Sequence, residues 1–92
     1  MIFSKRQDIL FERFDSRTLV FDLNKNLPYD LNEIASYIFM NTDGKTDQKA
    51  IAEKICEEYN VEFYQALHDI KVLHEDLHQK GLIEPVGECS CA

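Results

Sequence analysis

The chain has 92 residues, 45% of them hydrophobic, and a formal charge of −7 at pH 7. This length suffices for one domain with a modest core, and no apolar run approaches the roughly 20 residues that a membrane-spanning helix needs. The acidic balance disfavours phosphate backbones and anionic lipid, so we expect neither nucleic acid nor a membrane as partner. Met1 to Gln7 lacks an export signal, and three cysteines are too few for a disulfide scaffold, which predicts a cytoplasmic protein.

The first third of the chain predicts a three-stranded antiparallel sheet. Ile9 to Phe14 and Thr18 to Leu23 are rich in β-branched and aromatic residues, and a short polar break separates them, as in a β-hairpin. After a second polar break, Leu27 to Leu31 alternates apolar residues with Pro28 and Asp30. Because proline has no N–H to donate to a ladder, we expect this third strand at the edge of the sheet.

Two helices are predicted next. Asp30 or Asn32 can cap the first, which presents an apolar face until a polar break ends it. The second begins near Thr46 or Asp47, and Asn60, a residue that tolerates left-handed backbone, ends it. The residues expected to face inward from this part of the chain are Ile34, Ala35, Ile38, Phe39, Ile51, Ala52 and Ile55, with Cys56 as a core thiol and Val61 as an inward anchor.

The longest regular segment, Phe63 to Ile83, predicts a third helix. Its apolar residues recur at three- and four-residue steps, and Gly81 can take the left-handed conformation that ends a helix. A helix this apolar on one side must pack against the preceding elements, so we expect all of them to share one core. The residues of its apolar face are Ala66, Ile70, Leu73 and Leu77.

Together these elements predict an α+β, winged-helix-like domain, in which a three-stranded antiparallel β-sheet is followed by three α-helices. The domain is expected to span residues 9–85, after a flexible N-terminus at residues 1–8. Residues 86–92 are expected to form a flexible tail that carries Cys89 and Cys91. Because two cysteines cannot complete a tetrahedral metal site, we expect no metal ion to bind in the tail.

The segment His74 to His78, HEDLH, matches the H-E-x-x-H pattern of zinc proteases on a helix. In such a site both histidines would bind zinc and Glu75 would act as the general base. A five-residue match is a weak signal, and a third ligand and a substrate cleft would also be needed. We therefore expect His74 to pack on the core, and we expect no cofactor, no metal and no catalytic residue.

The runs LNEIASYIFMNTDGKTDQKAIAEKICEEYNV and HDIKVLHEDLHQKGLI resemble the PqqD-like family, the peptide-binding modules called RiPP recognition elements. The resemblance covers about Ile9 to Ile83. His74 departs from the family, in which leucine is common at this position, and the departure concerns local packing. The residues that carry the resemblance are Leu31, Asn32, Glu33, Asp43, Gly44, Ile51, Ala52, Asp69, Ile70, Leu73, Leu77, Gly81, Leu82 and Ile83.

The resemblance implies binding without catalysis. Members of this family hold the leader segment of a ribosomally made precursor peptide for a separate maturation enzyme, such as a radical S-adenosylmethionine enzyme, a leader protease or a cyclase. The leader joins the third strand as an added β-strand, in the groove between that strand and the third helix. Strand addition suits an exposed edge, because its free N–H and C=O groups supply affinity and side-chain pockets supply selectivity.

Helical spacing places Gln65, Asp69, Val72 and Asp76 along one flank of the third helix. Val72 is either the floor of a pocket for an apolar leader side chain or an isolated surface valine. Pro28 either narrows the register of the added strand or guards the edge against aggregation. The expected peptide-binding residues are Asn26, Leu27, Pro28, Tyr29 and Asp30 on the strand and Asp69, Val72, Leu73 and Asp76 on the helix.

Two alternative functions remain open. A winged-helix DNA-binding regulator would read DNA with the third helix, but that helix carries Asp69, Glu75 and Asp76 against only Lys71 and Lys80. The chain could also be an excised N-terminal recognition domain of a larger maturation enzyme. Since the sequence opens with methionine and the domain closes before the tail, we expect a free-standing protein.

Overall fold

The computed structural model describes residues 2–86, which form two three-stranded antiparallel sheets and three helices. One sheet has the strand order β2-β3-β4 and the other β5-β1-β6. Cys89 and Cys91, with the rest of the predicted tail beyond Val86, lie outside the described residues. The elements in chain order are β1 (Ile2–Lys5), β2 (Ile9–Phe14), β3 (Arg17–Asp22), β4 (Leu27–Leu31), α1 (Glu33–Met40), β5 (Asp43–Asp47), α2 (Gln48–Tyr59), α3 (Phe63–Gln79) and β6 (Ile83–Pro85).

The α+β fold and the three-stranded antiparallel sheet predicted from the sequence are confirmed. A two-residue turn with Asp15 at φ 55° joins β2 to β3, and a four-residue turn with Asn26 at φ 60° joins β3 to β4. Each turn thus places in the left-handed region a residue type that tolerates it. β4 lies at the edge, as its proline predicts, and Val20 at the centre of β3 is fully buried.

The second sheet was not predicted. Residues 1–8 are predicted to be flexible, but Ile2–Lys5 forms the central strand β1, between β5 and β6. Phe3 is only 5% exposed, because its ring packs into the core beneath this sheet. The prediction of a flexible N-terminus is therefore wrong for residues 2–5, where apolar burial and strand pairing on both sides fix the backbone.

The boundaries of α1 and α2 follow their capping residues. The side chain of Asn32, not that of Asp30, caps α1 by accepting a hydrogen bond from the N–H of Ala35 at 2.9 Å. Asp47 caps α2 in the same way, and Asn60 ends that helix at φ 56°. The predicted inward anchor Val61 is wrong, since this side chain is 39% exposed.

Two apolar clusters form the core. The first lies between the two sheets and α3 and includes Phe3, Val20 and Leu77. The second lies among the three helices, where the partly buried thiol of Cys56 packs against it. Leu73 contacts both clusters, so α3 joins the sheets to the helical layer as its apolar face predicts. No helix within residues 2–86 is both long enough and apolar enough to cross a membrane.

Candidate functional site

The outer edge of β4 offers main-chain groups that β3 does not use. In the β3–β4 ladder Phe21 lies opposite Pro28 and Leu19 lies opposite Asp30. Hydrogen-bonded and non-bonded pairs alternate along an antiparallel ladder, and Pro28, which has no N–H, fits a non-bonded position. The main-chain groups of Pro28 and Asp30 therefore point away from β3. At this edge Pro28 presents only a carbonyl, whereas Asp30 presents both an N–H and a carbonyl.

The inner face of β4 lies beside the C-terminal half of α3. Tyr29 packs against the same buried cluster as Leu73. The Nζ of Lys80 lies 5.3 Å from the centre of the Tyr29 ring. The main-chain carbonyl of Lys80 accepts a hydrogen bond from Lys25 Nζ at 3.0 Å. These contacts hold the start of the edge strand next to the end of the helix. A strand added to β4 would therefore face this helix with alternate side chains.

A cleft of about 380 Å³ lies on one flank of α3 and is lined by His68, Asp69, Val72, Leu73 and Asp76. Helical spacing predicts Asp69, Val72 and Asp76 on this same flank. The cleft brings together all four helix residues predicted for the site. Val72 is 54% exposed and supplies apolar surface between carboxylates. His68 was missed by the sequence analysis, although its position four residues before Val72 places it on the same flank.

Of the five strand residues predicted to bind the peptide, four lie in β4 and one lies just before it. Leu27, Tyr29 and Asp30 belong to β4, as does Pro28. Asn26 lies in the preceding turn, where its N–H donates to the carbonyl of Asp22 at 2.7 Å. That donor is already used inside the hairpin, so Asn26 cannot offer its N–H to an added strand.

The charged groups of the site are exposed and loosely paired. Asp69 accepts from Gln65 Nε2 at 3.0 Å, and Asp76 pairs with Lys80 at 2.9 Å. On the outer face of the sheet, Asp30 pairs with Arg17 at 2.8 Å, and this hydrogen bond raises the pKa of the Arg17 guanidinium. Exposed pairs contribute little to stability, so these side chains can exchange partners when a ligand arrives.

A second cleft, of about 500 Å³, lies on another flank of α3, where His74, Glu75 and His78 of the HEDLH segment line it. His74 is buried, and both ring nitrogens are engaged, Nδ1 by Gln48 Nε2 at 2.9 Å and Nε2 by Thr42 Oγ1 at 3.0 Å. Burial lowers the pKa of His74 to about 4. His74 therefore has no nitrogen available for zinc, and residues 2–86 contain no group of three or more metal-ligating side chains placed to hold an ion.

The fold and the site define a class: a small winged-helix-like domain whose edge strand lies open beside a partly apolar helix groove. The family model described as "Coenzyme PQQ synthesis protein D (PqqD)" matches residues 17–83. The chain belongs to this family. A comparison with curated protein sequences found no significant match.

Two solved structures have the same fold. The structure described as "Lasso peptide synthetase B1 complexed with the leader peptide" is 25% identical in sequence, with a TM-score of 0.82 over 92% of this chain and 100% of that chain. The structure of TbiB1 in complex with the TbiA(beta) leader peptide also has a TM-score of 0.82, over 95% of this chain and 99% of that chain. At 20% identity the TbiB1 structure is similar in fold alone.

Proposed function

We propose that this protein binds the leader segment of a ribosomally made precursor peptide and presents the remainder to a separate maturation enzyme. Membership of the PqqD family supports this proposal, as does the similar lasso peptide synthetase B1 structure, whose description names a leader peptide. The observation that carries it is the open edge of β4, which contacts the end of α3 through Tyr29 and Lys80, together with the cleft on that helix. An edge strand next to a side-chain pocket provides both parts of recognition by strand addition.

In the proposed complex the leader extends the sheet beyond β4. Its main chain bonds to the carbonyl of Pro28 and to the N–H and carbonyl of Asp30. Alternate leader side chains then point inward, toward the cleft around Val72, and the others point outward. The few main-chain bonds supply affinity with little sequence preference, so the cleft carries most of the selectivity.

We propose no catalytic role for the chain, and we place it in the cytoplasm with its partner enzyme. The engagement of both His74 ring nitrogens supports the first point, because it removes the strongest catalytic motif in the sequence. DNA binding has little support, since Asp69 and Asp76 line the exposed flank of α3 and would repel phosphates. Either a free-standing protein or a domain of a larger enzyme would bind the leader by the same surface.

The proposal is tested by NMR titration of the isotopically labelled protein with the leader peptide encoded by a neighbouring small open reading frame. We expect saturable shifts of the amides of residues 27–31 and 68–76. Val72→Lys should weaken binding at least tenfold because it fills the cleft with a charged chain. Tyr64→Lys is the matched control, since Tyr64 is an exposed apolar residue of the same helix outside the cleft.

Two results would contradict the proposal. In the first, the leader shifts neither β4 nor α3. In the second, Val72→Lys and Tyr64→Lys weaken binding equally, which would place the peptide elsewhere on the surface. Shifts of α3 amides caused by a duplex DNA fragment alone would favour the DNA-binding alternative.

A further inference from the structure

The cleft on α3 has a regular arrangement of charge around its apolar centre. Val72 is flanked by Asp69 three residues before it and by Asp76 four residues after it, and all three side chains line one cleft. Each carboxylate uses a single oxygen in its contact, Asp69 Oδ1 with Gln65 and Asp76 Oδ2 with Lys80. Within residues 2–86 the other carboxylate oxygens accept no hydrogen bond, so each can receive a further donor.

The spacing of these groups matches that of an added strand. Along a helix of about 1.5 Å rise per residue, Asp69 lies about 4.5 Å and Asp76 about 6 Å from Val72. On one face of a strand, side chains recur every second residue, about 6.8 Å apart at 3.4 Å per residue. For a leader strand that runs along α3, a side chain placed over Val72 therefore has inward neighbours, two positions away on each side, that come close to the two carboxylates. Long side chains absorb the remaining difference in length.

The carboxylates of Asp69 and Asp76 determine which leader side chains are favoured at the two neighbouring positions. A peptide that placed Asp or Glu at these positions would bring like charges together, which costs affinity. Lysine or arginine would pair with the free oxygens, which the weak contacts with Gln65 and Lys80 leave available. The formal charge of −7 on the whole chain would also speed the association of a basic segment.

We infer that the leader carries the pattern basic–x–apolar–x–basic in the segment that lies along α3. The central apolar residue packs on Val72, and the two basic residues pair with Asp69 and Asp76. This inference rests on the proposed function, because it assumes that the leader adds to β4.

The test uses three acetylated 12-residue peptides of otherwise identical Ser/Thr-rich sequence and the full 92-residue protein. Their central segments are Lys-Thr-Leu-Thr-Lys, Glu-Thr-Leu-Thr-Glu and Lys-Thr-Ser-Thr-Lys. Binding is measured by NMR titration at low and at physiological salt. We expect the Lys-Leu-Lys peptide to bind at least tenfold more tightly than the Glu-Leu-Glu peptide and about fivefold more tightly than the Lys-Ser-Lys peptide.

Charge reversal in the protein separates a local effect from that of net charge. The double variant Asp69→Lys/Asp76→Lys should reverse the preference, so that the Glu-Leu-Glu peptide binds more tightly. The double variant Glu57→Lys/Glu58→Lys changes the net charge equally on the exposed surface of α2 and should keep the original preference. If the two double variants change the preference to the same extent, the pairing with Asp69 and Asp76 is overturned.

The titrations also distinguish failure of this inference from failure of the proposed function. Equal affinities of the Lys-Leu-Lys and Glu-Leu-Glu peptides, both shifting the β4 amides, would overturn the charge pattern and leave strand addition intact. If none of the three peptides, nor the encoded leader, shifts the β4 amides, both the inference and the proposed function fail.

Discussion

Gln48 Nε2 donates a hydrogen bond to Nδ1 of His74, and the two atoms lie 2.9 Å apart in the buried interior. Because an amide nitrogen can only donate, Nδ1 must be the acceptor. The ring proton then lies on Nε2 and is donated to Thr42 Oγ1, whose hydroxyl donates to the carbonyl of Ile38 at 2.7 Å. These three hydrogen bonds link α2, α3 and the end of α1, and they require a neutral imidazole.

Because the buried imidazole of His74 is neutral, we expect the protein to lose stability at mildly acidic pH. Burial holds the pKa of folded His74 at about 4, below its ordinary value of 6.5. Between these values the unfolded chain binds more protons, so the free energy of unfolding falls as the pH drops from 6.5 to 4. The loss amounts to at most about 3 kcal/mol. It is measured by urea unfolding between pH 7 and pH 5, above the range in which most carboxylates titrate.

The variant His74→Leu should flatten this pH dependence, whatever its effect on absolute stability. His68→Leu serves as the control, because it removes a histidine from an exposed position of the same helix. A slope that survives in His74→Leu would assign the effect to another group.

Two buried threonines should respond differently to replacement by valine. Thr42→Val removes the acceptor of the His74 N–H and should destabilise the fold by about 2 kcal/mol. Thr18 Oγ1 is buried and has no hydrogen-bond partner within residues 2–86, so Thr18→Val should be neutral or stabilising by up to about 1 kcal/mol. Thermal and urea unfolding at pH 7 compare the pair, and equal destabilisation would contradict the bonding described above.

The N-terminal strand should be part of the cooperative fold. Phe3 is 5% exposed and its ring centre lies 4.8 Å from that of His74, so Phe3→Ala should cost about 3 to 4 kcal/mol. Phe14, at the end of β2, is 54% exposed, and Phe14→Ala should cost less than about 1 kcal/mol. Urea unfolding compares the two, and a silent Phe3→Ala would mean that β1 contributes nothing to stability.

Pro28 limits how many main-chain bonds the edge of β4 can make. Pro28→Ala would add an outward N–H, and one more bond to the leader should tighten binding by about 1 kcal/mol, roughly fivefold. Isothermal titration calorimetry with the encoded leader measures the change, and unfolding curves check that the fold is kept. Unchanged or weaker binding by a folded variant would show that the leader does not bond at this position.

The elements predicted correctly are those whose pattern is both local and long. α3 has an apolar face over several turns, and the β2–β3–β4 meander alternates turns with β-rich runs, so neighbouring residues suffice to define them. β4 could even be placed at the edge, because one proline excludes it from the centre. On the flank of α3, helical spacing alone predicted that Asp69, Val72 and Asp76 lie together, and all three line one cleft.

The second sheet could not be predicted because its pairings are distant and its strands are short. β1 pairs Ile2 with Asp47 and Phe3 with Pro85, partners that no local window contains. β5 has the sequence DGKTD, which is typical of a turn, and the three-residue β6 contains a proline. The partners of His74 could not be predicted for the same reason, since Thr42 lies between α1 and β5 and Gln48 begins α2.

The two ends of the described chain lie side by side, because the N–H of Val86 donates to the carbonyl of Ile2 at 2.9 Å. A short engineered linker could therefore join residues 2 and 86, and new termini could be opened in the Asp15–Ser16 turn without breaking a strand pairing. Such a circular permutant would retain the β4 edge and the α3 cleft. It would also allow a reporter or an enzyme to be fused at the far end of the hairpin.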